Sequence, residues 1–230
     1  MAPPIGLMQL TAKLPAPYSW PSQKPGGSEM AWIKLLSYEE STGRLRELYD
    51  RVKGPNNNVD NVMKAHSLRP HTMEGHSALY KTVMHHTGNV LPVWLLETIA
   101  VYTSLTNRCD YSVKHHFAGL SRLLNDQARA DRIYQALAAD RPEAEFAGKE
   151  LAFLRYAKKL TQQVGAMAPA DVDALRAAGA DDGEILEVNQ VIAYFNYSNR
   201  LLNGLGVTTD GDILGLSPPN TDKLDQWEHK

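Results

Sequence analysis

Apolar residues recur at three- and four-residue spacing from about residue 37 to residue 204, and polar breaks divide these runs into helices. Ser37 and Glu40 have capping-box spacing, with Leu45, Leu48, Tyr49 and Val52 following on one helical face. Pro70, Pro92 and Pro169 each stand where a helix can open, because a missing N–H costs nothing in the first turn. The run behind Pro92 carries Val93, Leu96, Ile99, Ala100 and Thr103 along one side. A turn at Thr106–Asn107 then leads into a helix over 109–124. Further helices are predicted over 126–139, 144–163, 171–178 and 183–204. No stretch alternates apolar and polar residues for long enough to form a strand. The pattern predicts an all-α fold, a multi-helix bundle.

Both ends depart from this pattern. Residues 1–29 hold six of the thirteen prolines, with Gly26–Gly27 and little periodicity, and read as an extended arm that packs on a neighbour or is disordered. Residues 208–230 read as a similar C-terminal tail, which leaves 30–207 as the helical domain. A hydrophobic share of 43% supports a sizeable core. Lys+Arg 24 against Asp+Glu 26 leaves a net charge of −2 with no basic block, which gives no support to a nucleic-acid or membrane-surface partner. No signal peptide is read at the start, and no apolar run approaches the ~18 residues of a membrane span. A cytoplasmic protein is expected. The single cysteine, Cys109, rules out an intrachain disulfide, so thiol redox chemistry would need a second thiol from elsewhere.

Reactive groups concentrate between Glu97 and His116. Cys109, Ser112 and His116 stand at i, i+3 and i+7, so one helical face carries a thiol, a hydroxyl and an imidazole. Cys109 falls in the first turn, where unpaired N–H groups and the helix dipole favour a thiolate. Glu97 lies on the preceding helix, and antiparallel packing across the Asn107 turn could bring it beside His116. A carboxylate that orients an imidazole is a general-base arrangement. The residue types also admit a plainer reading: a buried cysteine and histidine as core groups, and a glutamate paired on the surface. Spacing leaves both open.

Glu-x11-Cys-x2-[Cys]-x3-His is the pattern of the alkylhydroperoxidase D and carboxymuconolactone decarboxylase superfamily, and Glu97, Cys109, Ser112 and His116 occupy its four positions. Residues Met30–Val52, Asn61–Met84, and the stretch from Asp171 through Phe195–Leu201 to Val207 resemble its peroxidase-related branch. The resemblance covers roughly 30–207. It implies an all-helical domain that assembles as trimers or hexamers, with no tightly bound cofactor and with the site near a subunit contact. In its thiol-active members the Glu and His relay a proton to the second cysteine, which attacks the peroxide, and the first cysteine closes the disulfide.

Here Ser112 occupies the attacking position, and a hydroxyl cannot become a sulfenic acid. Three readings follow. Cys109 acts alone as a one-cysteine peroxidase on an organic hydroperoxide, with an external thiol as reductant. Alternatively the Glu97–His116 pair works as a decarboxylase, isomerase or hydrolase on a small organic acid or lactone, with Ser112 as hydrogen-bond donor. The third reading is an inactive helical scaffold.

Seven of the eight histidines cluster at 66, 71, 76, 85, 86, 115 and 116, but no pair has the i, i+4 spacing of a helix-borne metal site. No metal is expected. A site assembled from several helices, such as His76 or His85 with His116 and Glu97, is the alternative to polar surface or subunit-contact roles. In the last helix Asn199 falls in the stripe of Ile185, Val188, Ile192, Phe195 and Leu202, flanked by Asn196 and Arg200. These either serve structure or hold a substrate carboxylate. Tyr111 and His115 neighbour the motif and are weaker binding candidates, pointing off its face. Trp94, Tyr80 and Phe117 are candidate apolar pocket walls.

Overall fold

The computed structural model describes residues 30–227; the arm expected over 1–29 lies outside the described residues. Those described form nine α-helices and no strand. They are α1 (Gly43–Val52), α2 (Asn61–Lys64), α3 (Pro70–His85), α4 (Val93–Thr106), α5 (Asp110–Leu124), α6 (Gln127–Ala138), α7 (Gly148–Gln162), α8 (Pro169–Ala177) and α9 (Asp182–Leu205). None of these helices is long and apolar enough to cross a membrane.

Local chemistry accounts for most boundaries. Pro70 and Pro169 stand at the first position of α3 and α8. Asp181 and Glu184 exchange backbone hydrogen bonds to start α9, and Gly206, at φ 62°, ends it in the left-handed conformation. Ser37 and Glu40 also form a reciprocal pair, at 2.8 and 3.2 Å, but it closes only a single turn. The Ser41 hydroxyl and the Arg46 guanidinium both donate to the Tyr38 carbonyl, Thr42 is extended, and α1 begins only at Gly43. The helix expected from 144 starts at Gly148 instead, after a short 3-10 turn at Pro142–Ala144 that leaves Phe146 in the core.

Helix α4 is the axis of the bundle. Every residue from Leu95 to Ser104 is buried, and α4 packs against α5, α7 and α9. A helix enclosed on all sides must be apolar all round or have its polar groups partnered. Leu95, Leu96, Ile99, Ala100 and Val101 meet the first condition. Ser104 meets the second, its hydroxyl lying 3.2–3.3 Å from the Asn199 side-chain amide of α9. A smaller apolar cluster joins α1, α2 and α3 around Tyr49 and Met73.

The segment after α9 folds back over the helices rather than standing away as a tail. The Asn61 side-chain amide donates to the Thr208 and Asp210 carbonyls. At Gly215, φ is 80° and a Cβ would lie 2.9 Å from Ala118 Cβ and 3.1 Å from Gly119 N, so only glycine lets the segment press onto α5. Thr221 N–H donates to the His85 carbonyl, and Trp227, 4% exposed, completes the α1–α3 cluster.

Candidate active site

The α4–α5 hairpin assembles the site. Its turn is tight: Arg108 adopts φ 55°, Cys109 N–H donates to the Ser104 carbonyl, and the Asn203 amide of α9 donates to the Asn107 carbonyl. Fold-back across three residues sets the second turn of α5 beside the start of α4. Gly119 then faces the Glu97 carboxylate, and His116 Nδ1 lies 2.7 Å from Glu97 Oε2. A carboxylate can only accept, so the shared proton sits on Nδ1 and a neutral imidazole keeps its lone pair on Nε2. Nε2 has no hydrogen-bond partner among the described residues. Phe195 meets the imidazole edge-on, with centroids 4.5 Å apart, and holds its plane.

Glu97, Ser112 and His116 all line one cavity of about 60 Å³. Tyr80 and Tyr194 form part of its wall, and His76, Asp60 and Ser198 add polar groups. The returning C-terminal segment supplies the remaining side through Leu216, Pro218 and Trp227.

Cys109 stands at the N-cap of α5, next to the site but not in its wall. Its side chain is fully buried among Ala31, Ala65, Tyr111, Leu202 and Val207, with Sγ 3.6 Å from Ser112 Oγ. Burial pushes the thiol pKa up, and the donors of Ser112 offset only part of that rise. This reverses the thiolate preference expected from the helix N-terminus. The partial charge of a helix end is a smaller effect than stripping water from a sulfur anion.

The expected binding residues divide differently from their ranking in the sequence. Asn196 bonds Asn107, Thr161 and the Ile192 carbonyl, Arg200 turns back onto Asn196, and Asn199 is held by Ser104. None of the three reaches the cavity; they fasten α9 to α4 and α7 or to itself. Tyr111 and His115 do line the cavity, stacked with ring centroids 4.6 Å apart. Both engage Asp212 Oδ2, at 2.6 and 3.2 Å, and the Asn61 N–H donates to the same carboxylate. Of the apolar walls, Tyr80 is in the cavity, whereas Trp94 and Phe117 pack on the main core. Among the described residues no group of three or more His, Cys, Asp or Glu side chains forms a metal site.

Sequence reasoning missed Tyr194, Asp60, Ser198 and Asp212, and it named His76 only as a member of an alternative metal site. The available signals were a buried-looking tryptophan at 227 in an otherwise polar tail, and the surplus of histidines in α3. Neither signal names a partner.

No protein-family model matches the chain, and no curated protein matches it. Among solved structures it is similar to the alkylhydroperoxidase AhpD core of an uncharacterized peroxidase-related protein from Ralstonia eutropha JMP134. That pair is 24% identical over 80% of this chain and 94% of that chain, with a TM-score of 0.69. An uncharacterized peroxidase-related protein from Silicibacter sp. TM1040 aligns at 23% identity over 80% and 94% of the two chains, with a TM-score of 0.67. The debrominase Bmp8 shares 15% identity over 79% and 92%, with a TM-score of 0.60. At these identities the likeness establishes the fold, an all-helical alkylhydroperoxidase D-like bundle.

Proposed function

We propose that this protein belongs to the alkylhydroperoxidase D and carboxymuconolactone decarboxylase superfamily and works as an acid–base enzyme on a small organic substrate. His116 Nε2 removes and returns the proton, Glu97 orients and stabilises the imidazole, and Ser112 donates a hydrogen bond. One observation carries the reading: the 2.7 Å Glu97–His116 pair opens on the cavity, while the Cys109 thiol is fully buried behind its wall. Proton transfer by such a pair contributes about 10²–10⁴-fold to rate, which suits decarboxylation, isomerisation or lactone hydrolysis. The fold itself does not choose among chemistries, since its neighbours include both peroxidase-related proteins and a debrominase.

The one-cysteine peroxidase is the second reading, favoured by the 3.6 Å contact that links the thiol to a cavity-lining hydroxyl. In that cycle a hydroperoxide oxidises Cys109 to a sulfenic acid and leaves as an alcohol; one external thiol then displaces water to form a mixed disulfide, and a second frees the Cys109 thiol and leaves joined to the first as a disulfide.

The test compares two assays on the full chain. Solvent deuterium incorporation into a panel of lactones and β-keto esters is expected for wild type and Cys109→Ser, and lost in His116→Ala and Glu97→Gln. Mass spectrometry after cumene hydroperoxide treatment is expected to find Cys109 unmodified. Thiol-dependent hydroperoxide consumption that disappears in Cys109→Ser would overturn the acid–base reading. Silence in both assays would leave the scaffold.

A further inference from the structure

A second imidazole at the cavity is supported in the same way as the first. His115 and His116 both line it. The Glu97 side chain, 3% exposed, lies 2.7 Å from His116 Nδ1, and the fully buried Asp212 side chain lies 3.2 Å from His115 Nε2. An aromatic ring fixes each plane, Phe195 edge-on to His116 and Tyr111 stacked on His115. The carboxylates come from different parts of the chain, α4 and the returning C-terminal segment, so the two pairs form independently.

The pairs leave opposite nitrogens open. An ionised carboxylate only accepts, so Asp212 places the His115 proton on Nε2, whereas Glu97 places the His116 proton on Nδ1. His115 Nδ1 has no hydrogen-bond partner among the described residues, and it is not sealed in the core as the unpartnered nitrogens of His66 and His76 are. Asp212 at Nε2 and Tyr111 on one face leave the other face and the Nδ1 side of the ring for the cavity wall. Successive residues of a helix point about 100° apart, so the two rings reach the cavity from different directions. Ser112 stands one turn earlier, at i−3 and i−4 from them. In a cavity of about 60 Å³, a small molecule is within reach of all three.

One base suffices for hydrogen exchange or for hydrolysis. Two imidazoles with separate carboxylates suit a reaction in which a proton leaves one atom and another arrives elsewhere on the same molecule. We propose that the site isomerises a small β,γ-unsaturated carbonyl compound, with His115 as the catalytic acid that completes the 1,3-proton shift begun by His116. His116 Nε2 takes a proton from the α-carbon, and the electron pair of that C–H bond passes into a dienolate whose oxygen accepts the Ser112 hydrogen bond. His115, loaded from solvent as an imidazolium, gives its Nδ1 proton to the γ-carbon, and the dienolate supplies the electron pair of the new C–H bond. Water then carries off the His116 proton and reloads His115, so protons and electrons balance. This names the reaction and substrate class of the acid–base reading and rests on that reading for its first step. A plainer role for His115, fastening the C-terminal segment to α5, predicts different results.

The probe is α-angelica lactone, a small β,γ-unsaturated lactone, followed by ¹H and ²H NMR in D₂O with the full chain. Wild type is expected to form the conjugated isomer with solvent deuterium at the γ-carbon from the first turnovers. His115→Gln keeps an N–H for Asp212 but has no second ring nitrogen. It is expected to leave residues 213–227 resistant to protease and α-carbon exchange within about threefold of wild type, and to lose isomerisation by about 10²-fold or more. In protein carrying ¹⁵N-labelled histidine at about pH 8, opposite neutral tautomers are expected, Nε2–H for His115 and Nδ1–H for His116. Isomerisation by His115→Gln at the wild-type rate would reduce His115 to a fastening and overturn the proposal. Transfer of the substrate's own α-hydrogen to the γ-carbon in wild type, the mark of one base serving both carbons, would overturn it too. So would the same tautomer at both histidines, and neither of these readouts needs a variant to fold. Wild type that exchanges the α-hydrogen but forms no isomer sinks this inference alone. No exchange at all sinks the acid–base reading, and the second step with it.

Discussion

Replacing Asp212 by alanine tests whether the C-terminal segment is a working wall of the site. The Asp212 side chain is fully buried and accepts from Tyr111 O–H at 2.6 Å and Asn61 N–H at 3.0 Å, with His115 Nε2 at 3.2 Å. Alanine leaves at least the tyrosine proton and the backbone N–H without acceptors. Each such orphan costs about 1–3 kcal/mol, so a loss of about 3 kcal/mol is expected if the segment stays docked. At an m-value of about 2 kcal/mol/M, the urea midpoint should fall by about 1.5 M. If the segment lets go instead, water satisfies both donors and the global loss shrinks, but residues 213–227 become cleavable under native conditions. Urea unfolding and limited proteolysis together cover both routes. Asp212→Asn keeps one acceptor oxygen and should cost about half as much. An Asp212→Ala protein within about 0.5 kcal/mol of wild type and equally resistant to protease would refute the anchoring argument.

Three other measurements bear on the same structure. Ser112→Cys should form a disulfide with Cys109 on mild oxidation, since the two side-chain atoms are already 3.6 Å apart; intact-mass analysis showing two free thiols after oxidation would contradict the geometry. Acid should destabilise the fold as pH falls below about 6.5. His76, lowered to about 3 chiefly by burial, stays neutral when folded but takes up a proton when unfolded, and burial lowers His66 and His85 in the same direction. The unfolded chain then binds more protons over that window, so stability rises with pH there, and His76→Gln should flatten the slope by close to one proton; a stability that does not change between pH 6.5 and 4 would contradict it. Exposed Trp32, Leu186 and Tyr197, at 55, 58 and 46%, are candidate contacts for a homo-oligomer, and ultracentrifugation is expected to give a trimer or hexamer rather than a monomer.

What could be read from sequence follows the range of the interactions involved. Glu97 and His116 belong to one hairpin, and helical periodicity with a short turn constrains where their side chains meet. The same locality makes Pro70, Pro169 and the α9 stripe legible. Asp212 and Trp227 resist such reading because their partners, Tyr111, Asn61 and Met73, are brought near only by the completed bundle. In a stretch without periodicity, no local pattern distinguishes a docked segment from a free one. Asn196, Asn199 and Arg200 illustrate a different difficulty. A polar residue in an apolar stripe announces that it needs a partner, but whether that partner is Ser104 or a ligand depends on the facing helix.

Cys109 sets two correctly identified effects against each other, the helix N-terminus favouring the thiolate and burial opposing it. The spacing reveals the first, whereas the second depends on how closely Ala31, Ala65, Leu202 and Val207 seal the sulfur. Because burial is the larger effect, Cys109 is a core group, and the groups that face the cavity beside it are the His116 imidazole and its Glu97 carboxylate.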